Sequence, residues 1–211
     1  MRKLPLLYGI WDAQDDNYLY KIERSFLGGV GIFQLRVKGK DRGYLINLAR
    51  EIKKITKFYG VIFIINDYYD ICLEVDADGV HIGKEDEEIS IVRKKIGNKI
   101  LGVSCYDSIE RAIEAQAKGA NYVSFSSPYT SPSKADKKIV PFSILKRARE
   151  ILSIPMYVIG GINVDNISNL LREVKCGVCS ISGIYKSEDP FFNVHKMKEE
   201  LLFYHEGSIT F

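Results

Sequence analysis

Eight short apolar runs recur along the chain, at residues 5–10, 31–35, 61–65, 79–82, 100–104, 122–125, 156–159 and 177–181. Each is rich in β-branched or aromatic residues and reads as a buried strand. Longer stretches of helical periodicity lie between them. In residues 45–60, Leu45, Leu48, Ala49, Ile52 and Ile55 share one face, with basic residues on the other. Residues 108–120 repeat the pattern and stop at Gly119, a C-terminal cap signal. Residues 135–152 and 163–174 supply two more such segments. Alternating strands and helices predict a parallel sheet covered by helices. Eight units predict an α/β fold, a single (β/α)8 TIM barrel spanning residues 1–211. An open doubly wound sheet is the alternative, but it usually stops at five or six strands. No G-x-G-x-x-G follows the first run, which weakens a dinucleotide-binding reading. The tail, residues 204–211, is expected to extend past the last helix.

Composition narrows the class of protein. Hydrophobic residues make up 46% and charged residues 27%, a globular balance that excludes disorder as the main state. Thirty Lys plus Arg against 27 Asp plus Glu leave a net charge of only +3. That is too little to argue for nucleic acid or an anionic membrane, so anion binding must come from a local cluster. No apolar run approaches the ~20 residues of a membrane span. The first ten residues lack a small-residue cleavage site and read as a strand, not a signal peptide. The expected location is the cytoplasm. The four cysteines are Cys72, Cys105, Cys176 and Cys179. Cys176 and Cys179 form a C-x-x-C, but no second pair or nearby His completes a zinc site. Three residues apart on a strand, they face opposite sides, and plain buried thiols are expected.

The polar residues at the strand ends carry the candidate chemistry, because active sites in this fold sit at the C-terminal ends of the strands. Gln34, Arg36 and Lys38 are two apart and share one face of an extended chain, a donor row for an anion. A strand running out into solvent would look the same. Run three ends in Asn66-Asp67, and run four leads through Gly83-Lys84 to Asp86. Two carboxylates on adjacent strand ends suit Mg²⁺ with substrate phosphates. Asp86 followed by Glu87 and Glu88 equally suits a helix N-cap, and Asp67 can cap the third helix. Ser104 ends run five as a hydroxyl donor or a turn residue. The stretch 126–138 is the longest irregular one, rich in Ser, Thr and Pro, with Lys134 near its middle. Gly160-Gly161 and Ile181-Ser182-Gly183 end runs seven and eight, where backbone N–H groups can approach a phosphate. Tight strand-to-helix packing is the other reading of those glycines.

Together the segments QLRVK, INDYYDICLEVDADGVHIGKED, GVSCYDSIERAIEAQAKGANYVSF, the loop ending in Lys134, YVIGGIN and ISGI resemble the thiamine-phosphate synthase family. The resemblance runs from about residue 5 to residue 190. The block from Ile65 to Asp86 is the specific part, and the double glycine is not specific. The resemblance implies a transferase that joins 4-amino-2-methyl-5-(diphosphooxymethyl)pyrimidine to a thiazole phosphate, giving thiamine phosphate and diphosphate. Diphosphate leaves first, and the thiazole nitrogen then attacks the pyrimidine-methyl cation. Carried over by position, Gln34, Leu35, Arg36, Val37, Lys38 and Asn66 hold the pyrimidine diphosphate, with Ser104 on that substrate and Lys134 on its diphosphate. Asp67 and Asp86 hold Mg²⁺. Ser131, Pro132, Ser133, Gly161, Ile181 and Ser182 form the thiazole-phosphate site. Lys134, Arg36 and Lys38 are the expected catalytic residues, neutralising the leaving group.

Two departures from the family pattern stand out. The strand-six loop usually reads Gly-Pro-x-Phe-Pro-Thr-x-Thr-Lys, whereas here Ser126-Ser127-Pro128-Tyr129-Thr130-Ser131-Pro132-Ser133 precedes Lys134. Hydroxyls survive with the proline displaced, and Thr130 can stand in for Ser131 if the register shifts by one. Lys84 replaces a usual Gln. The related thiazole tautomerases carry a His after strand five, where this chain has Ser104-Cys105-Tyr106. Gln34, Arg36, Lys38, Asp67 and Asp86 favour the synthase over such a tautomerase. Lys134 favours it over a non-catalytic thiazole-phosphate-binding regulator. A phosphosugar isomerase would want a carboxylate or His base near the phosphate, and none is evident.

Overall fold

The computed structural model describes residues 4–12, 17–130 and 139–206. Eight strands form a closed parallel barrel: β1 (Leu7–Trp11), β2 (Ile32–Leu35), β3 (Ile62–Asn66), β4 (Gly79–Ile82), β5 (Ile100–Tyr106), β6 (Tyr122–Ser126), β7 (Met156–Ile159) and β8 (Gly177–Ser180). Each pairs with its sequence neighbour, and β1 closes on β8 through Leu7–Val178, Tyr8–Cys179 and Gly9–Ser180. All eight predicted runs are therefore strands, with ends that differ by a residue or two.

The connecting helices are α1 (Tyr18–Gly28), α2 (Arg42–Tyr59), α3 (Tyr69–Glu74), α4 (Ile89–Ile96), α5 (Ile109–Ala117), α6 (Phe142–Ile151), α7 (Ile167–Glu173), α8 (Ser182–Tyr185) and α9 (Pro190–Glu206). The apolar stripe predicted from residue 45 is the buried face of α2, and Asp41 caps that helix by accepting from the Tyr44 N–H at 2.9 Å. The chain does not leave the last helix at residue 204. Residues 204–206 continue α9, and 207–211 lie outside the described residues. Arg24 on α1 grips Asp189, just before α9, with two bonds of 2.9 and 2.7 Å, tying the first helix to the last.

Period-two alternation sorts the strand residues into two layers. Phe33, Phe63, Val80, Val103, Val123, Val158 and Val178 pack outward against the helices. Tyr8, Ile10, Ile32, Ile62, Ile64, Tyr122, Tyr157 and Cys179 form a separate buried cluster inside the barrel. Tyr8, Tyr122 and Tyr157 meet edge to face there, with ring centroids 5.2–5.8 Å apart. All four cysteines are free and buried, with Cys176 in the outer layer and Cys179 in the inner one. Among the described residues no helix is long and apolar enough to cross a membrane.

Candidate active site

Above the tyrosine layer, at the C-terminal ends of the strands, the barrel opens into a cavity of about 250 Å³. Gln34, Arg36, Lys38, Asn66, Asp67, Asp86, Ser104, Gly161, Ile181 and Ser182 all line it. One set of strand ends thus gathers ten of the predicted site residues. Leu35 and Val37 do not join them. Strand alternation turns both side chains outward, where they are buried in the helix-facing layer beside Leu45 and Ile71. Their share in any site is limited to backbone groups. Ser131, Pro132, Ser133 and Lys134 lie outside the described residues.

On the β2–β4 side the charges interlock. Arg36 Nη1 stands 3.7 Å from Asp12 Oδ2, and Lys38 Nζ stands 3.5 Å from Asp67 Oδ2. Asp67 has a left-handed backbone with φ 64°, a region that few non-glycine residues enter and that aspartate enters more readily than most. Burial first, and then the negative charge of Asp86, push the Asp67 carboxyl above its ordinary range, with Lys38 pulling the other way. Both carboxylates line the cavity.

Neither aspartate caps a helix. The N-cap of α4 is Glu88, which accepts from the Ser90 and Ile91 N–H groups, and Tyr68 occupies the cap position of α3 without a side-chain bond. Asp86 Oδ2 instead accepts from the Gly83 N–H at 2.6 Å and closes the β4–α4 turn on itself. The same turn is held from β5 and α5. Arg111 donates to the Gly83 carbonyl at 2.8 Å, and the Tyr106 hydroxyl accepts from the Lys84 N–H at 3.3 Å.

On the opposite side the β7–α7 turn is Gly160-Gly161, at φ 124° and 61°. A Cβ on Gly161 would overlap the Thr130 carbonyl oxygen, so the glycine lets the strand-six and strand-seven loops touch. Ser127 joins them further. Its hydroxyl bonds to the Gly160 carbonyl and accepts from the Tyr129 N–H at 3.1 Å. Ser182 opens α8 directly after β8. Its position, Gly161 and the start of the strand-six loop form the second polar wall of the cavity.

The cavity floor holds His81, which lies inside the β4 run and not past its end. His81 is buried, donates to or accepts from Tyr122 Oη at 3.0 Å through Nδ1, and meets Ser104 Oγ at 2.8 Å through Nε2. Burial pulls its pKa down to about 4, so the ring is neutral near pH 7. Tyr8, Asp12, Tyr106, Ser124 and Ser180 also line the cavity. The available signal was the inward parity of residue 81 in the β4 run, two before Gly83. A single His in an apolar run is read first as core.

Comparisons with known proteins identify the family. A family model described as thiamine monophosphate synthase matches residues 7–184. The chain is 40% identical over 200 residues to a thiamine-phosphate synthase of Clostridioides difficile, covering 93% of this chain and 95% of the relative. It is 35% identical to the thiamine-phosphate synthase of Thermoplasma acidophilum, covering 92% of this chain and 90% of that one. Among solved structures, thiamine phosphate pyrophosphorylase from Pyrococcus furiosus superposes with a TM-score of 0.86 at 30% identity, covering 94% of this chain and 96% of that one. A match along nearly the whole barrel, at these identities, shows that the chain belongs to the thiamine monophosphate synthase family.

Proposed function

We propose that this chain is a thiamine-phosphate synthase, a transferase that joins the pyrimidine diphosphate to the thiazole phosphate and releases diphosphate. The observation that carries the reading is the two-walled cavity. Gln34, Arg36, Lys38, Asn66 and the Asp67–Asp86 pair stand on one wall, and Gly161 with Ser182 on the other. One wall suits a diphosphate with its counter-ion, and the other a phosphate monoester.

The chemistry asks for little proton transfer. Breaking the C–O bond to diphosphate builds negative charge on the leaving group, and Arg36 and Lys38 lie where that charge develops. Lys134, which lies outside the described residues, is the third cation expected to act on the same group. The thiazole nitrogen then forms the C–N bond with the pyrimidine-methyl cation, which requires the two rings to be held against one another and water kept out. Gln34, Asn66 and Ser104 orient the pyrimidine diphosphate. Gly161, Ile181 and Ser182, with Ser131 to Ser133 or Thr130, orient the thiazole phosphate.

Asp67 and Asp86 fit a magnesium ion. Burial, and then the Asp86 charge, raise the Asp67 carboxyl, and a divalent cation held by the two aspartates would offset both effects. Bound there, Mg²⁺ supplies charge neutralisation for the diphosphate oxygens. A cytoplasmic setting is in keeping with four free thiols. Incubation with both substrates and Mg²⁺, followed by mass spectrometry, tests the reading. Thiamine phosphate is the expected product, and isomerisation of the thiazole phosphate with no joined product would replace synthase by tautomerase.

A further inference from the structure

Along the floor of the cavity five polar side chains from five strands touch in series. Gln34 Nε2 donates to Tyr8 Oη at 2.6 Å, and Tyr8 Oη meets Tyr122 Oη at 2.8 Å. Tyr122 Oη meets His81 Nδ1 at 3.0 Å, and His81 Nε2 meets Ser104 Oγ at 2.8 Å. The series crosses from β2 to β1, β6, β4 and β5. Space has been made for it. A Cβ on Gly102 would overlap the Tyr122 hydroxyl and His81 Nδ1, and the Tyr122 and His81 rings stack at 5.6 Å with 23° between their planes.

The polarity of such a series is set from its ends. Gln34 Nε2 can only donate, so the Tyr8 oxygen accepts. Among the described residues, the acceptor that remains for the Tyr8 hydrogen is Tyr122, and for the Tyr122 hydrogen it is His81 Nδ1. A neutral imidazole carries one N–H, which the bare Nδ1 places on Nε2, where it donates to Ser104. The Ser104 hydrogen is then the one the series does not consume, on a side chain that lines the cavity.

We propose that Gln34, Tyr8, Tyr122, His81 and Ser104 form one directional hydrogen-bond chain, which holds His81 as its Nε2–H tautomer and turns the Ser104 hydroxyl outward as a donor to the bound ligand. Tyr8, Tyr122 and His81 are positioning residues, because they act through Ser104. The ligand group recognised is an acceptor with a free lone pair, a ring nitrogen or a phosphate oxygen. That the acceptor belongs to the pyrimidine diphosphate rests on the function proposed above, whereas the polarity of the chain does not.

The first test needs no substrate. Long-range ¹H–¹⁵N spectra of the uniformly labelled full-length protein report which ring nitrogen of His81 carries the proton, and the sequence holds only three histidines to assign. A protonated Nε2 with a bare Nδ1 is expected. A protonated Nδ1 would mean the chain runs the other way, and an average of both would mean it has no fixed direction; either overturns the proposal. The second test is kinetic. Tyr122→Phe keeps the ring and cuts the chain, and should raise KM for the pyrimidine diphosphate roughly three- to tenfold, the range expected for one hydrogen bond, with a smaller change in kcat. In a Ser104→Ala background the same substitution should have no further effect, because the group it positions is gone. Additive losses would show that Tyr122 acts independently of Ser104 and would refute the relay. If Tyr122→Phe fails to fold, Tyr8→Phe cuts the chain one link earlier. A wild-type protein with the Nε2–H tautomer but no synthase activity would refute the proposed function and leave the chain standing.

Discussion

Gly161 and Gly60 make a matched pair for measuring how tightly the second wall of the cavity is built. Their backbones are nearly alike, with φ 61° and 68°. Alanine at either position incurs the left-handed penalty of about 1–2 kcal/mol. At Gly60, the C-cap of α2, the new methyl group meets open space. At Gly161 it meets the Thr130 carbonyl, which is backbone and cannot rotate aside as a side chain would. Overpacking of that kind adds about 1–3 kcal/mol. Urea unfolding at pH 7 should therefore show Gly60→Ala weaker by about 1–2 kcal/mol and Gly161→Ala by about 2–5 kcal/mol. Part of the clash is relieved by displacing Thr130 and the loop that follows it. Gly161→Ala should then also raise KM for the thiazole phosphate roughly tenfold or more, as misplacement of a binding wall does, while Gly60→Ala leaves it unchanged. Equal stabilities and equal KM values for the two variants would refute the claim that the strand-six and strand-seven loops meet at Gly161 to form a phosphate wall.

Asp67→Asn should lower turnover roughly a hundredfold without lowering the melting temperature at pH 7. The Asp67 carboxyl is raised in the folded state, so stability falls as pH rises from its ordinary value through the raised one, and the penalty persists above; asparagine removes that penalty. A melting curve at pH 7 clearly below that of wild type would contradict this, and so would a stability gap that widened on acidification. Lys134→Ala should cost roughly 10²-fold in turnover, the scale of one donor to developing charge. If Lys137 or Lys138 takes the role, the loss will appear only in the triple alanine variant. Ser182→Asp should weaken thiazole-phosphate binding in calorimetry by like-charge repulsion and spare the pyrimidine diphosphate, which the proposed function assigns to the opposite wall. Equal weakening of both would erase the two-site map.

The barrel was legible because strands covered on both faces leave continuous apolar runs, and eight such runs separated by helical stripes admit few other folds. The row of Gln34, Arg36 and Lys38 was legible for the same reason that Leu35 and Val37 fell out of it: a strand end shows its faces at period two. Asp67 and Asp86 were found as a pair, but whether they capped helices or faced the cavity could not be read from spacing. Glu88, two positions on, competes for the same cap, and only the turn closed on Gly83 decides it. His81 escaped because its side-chain partners lie on β5 and β6, far away in sequence and adjacent only once the barrel closes. Tyr106 escaped for a similar reason. Its reach to Lys84 depends on a left-handed backbone at φ 57° within an irregular stretch of β5.

The measurement that bears most directly on the central claim is product formation in a single vessel, with thiamine phosphate and diphosphate counted together. With the pyrimidine diphosphate, the thiazole phosphate and Mg²⁺ all present, the two products should rise in equal amounts. Omitting the thiazole phosphate, or adding chelator in excess over metal, should abolish thiamine phosphate. Full synthesis in excess chelator would remove the cation from the Asp67–Asp86 pair. The absence of thiamine phosphate from the complete mixture, with the protein folded and both substrates intact, would contradict the account as a whole.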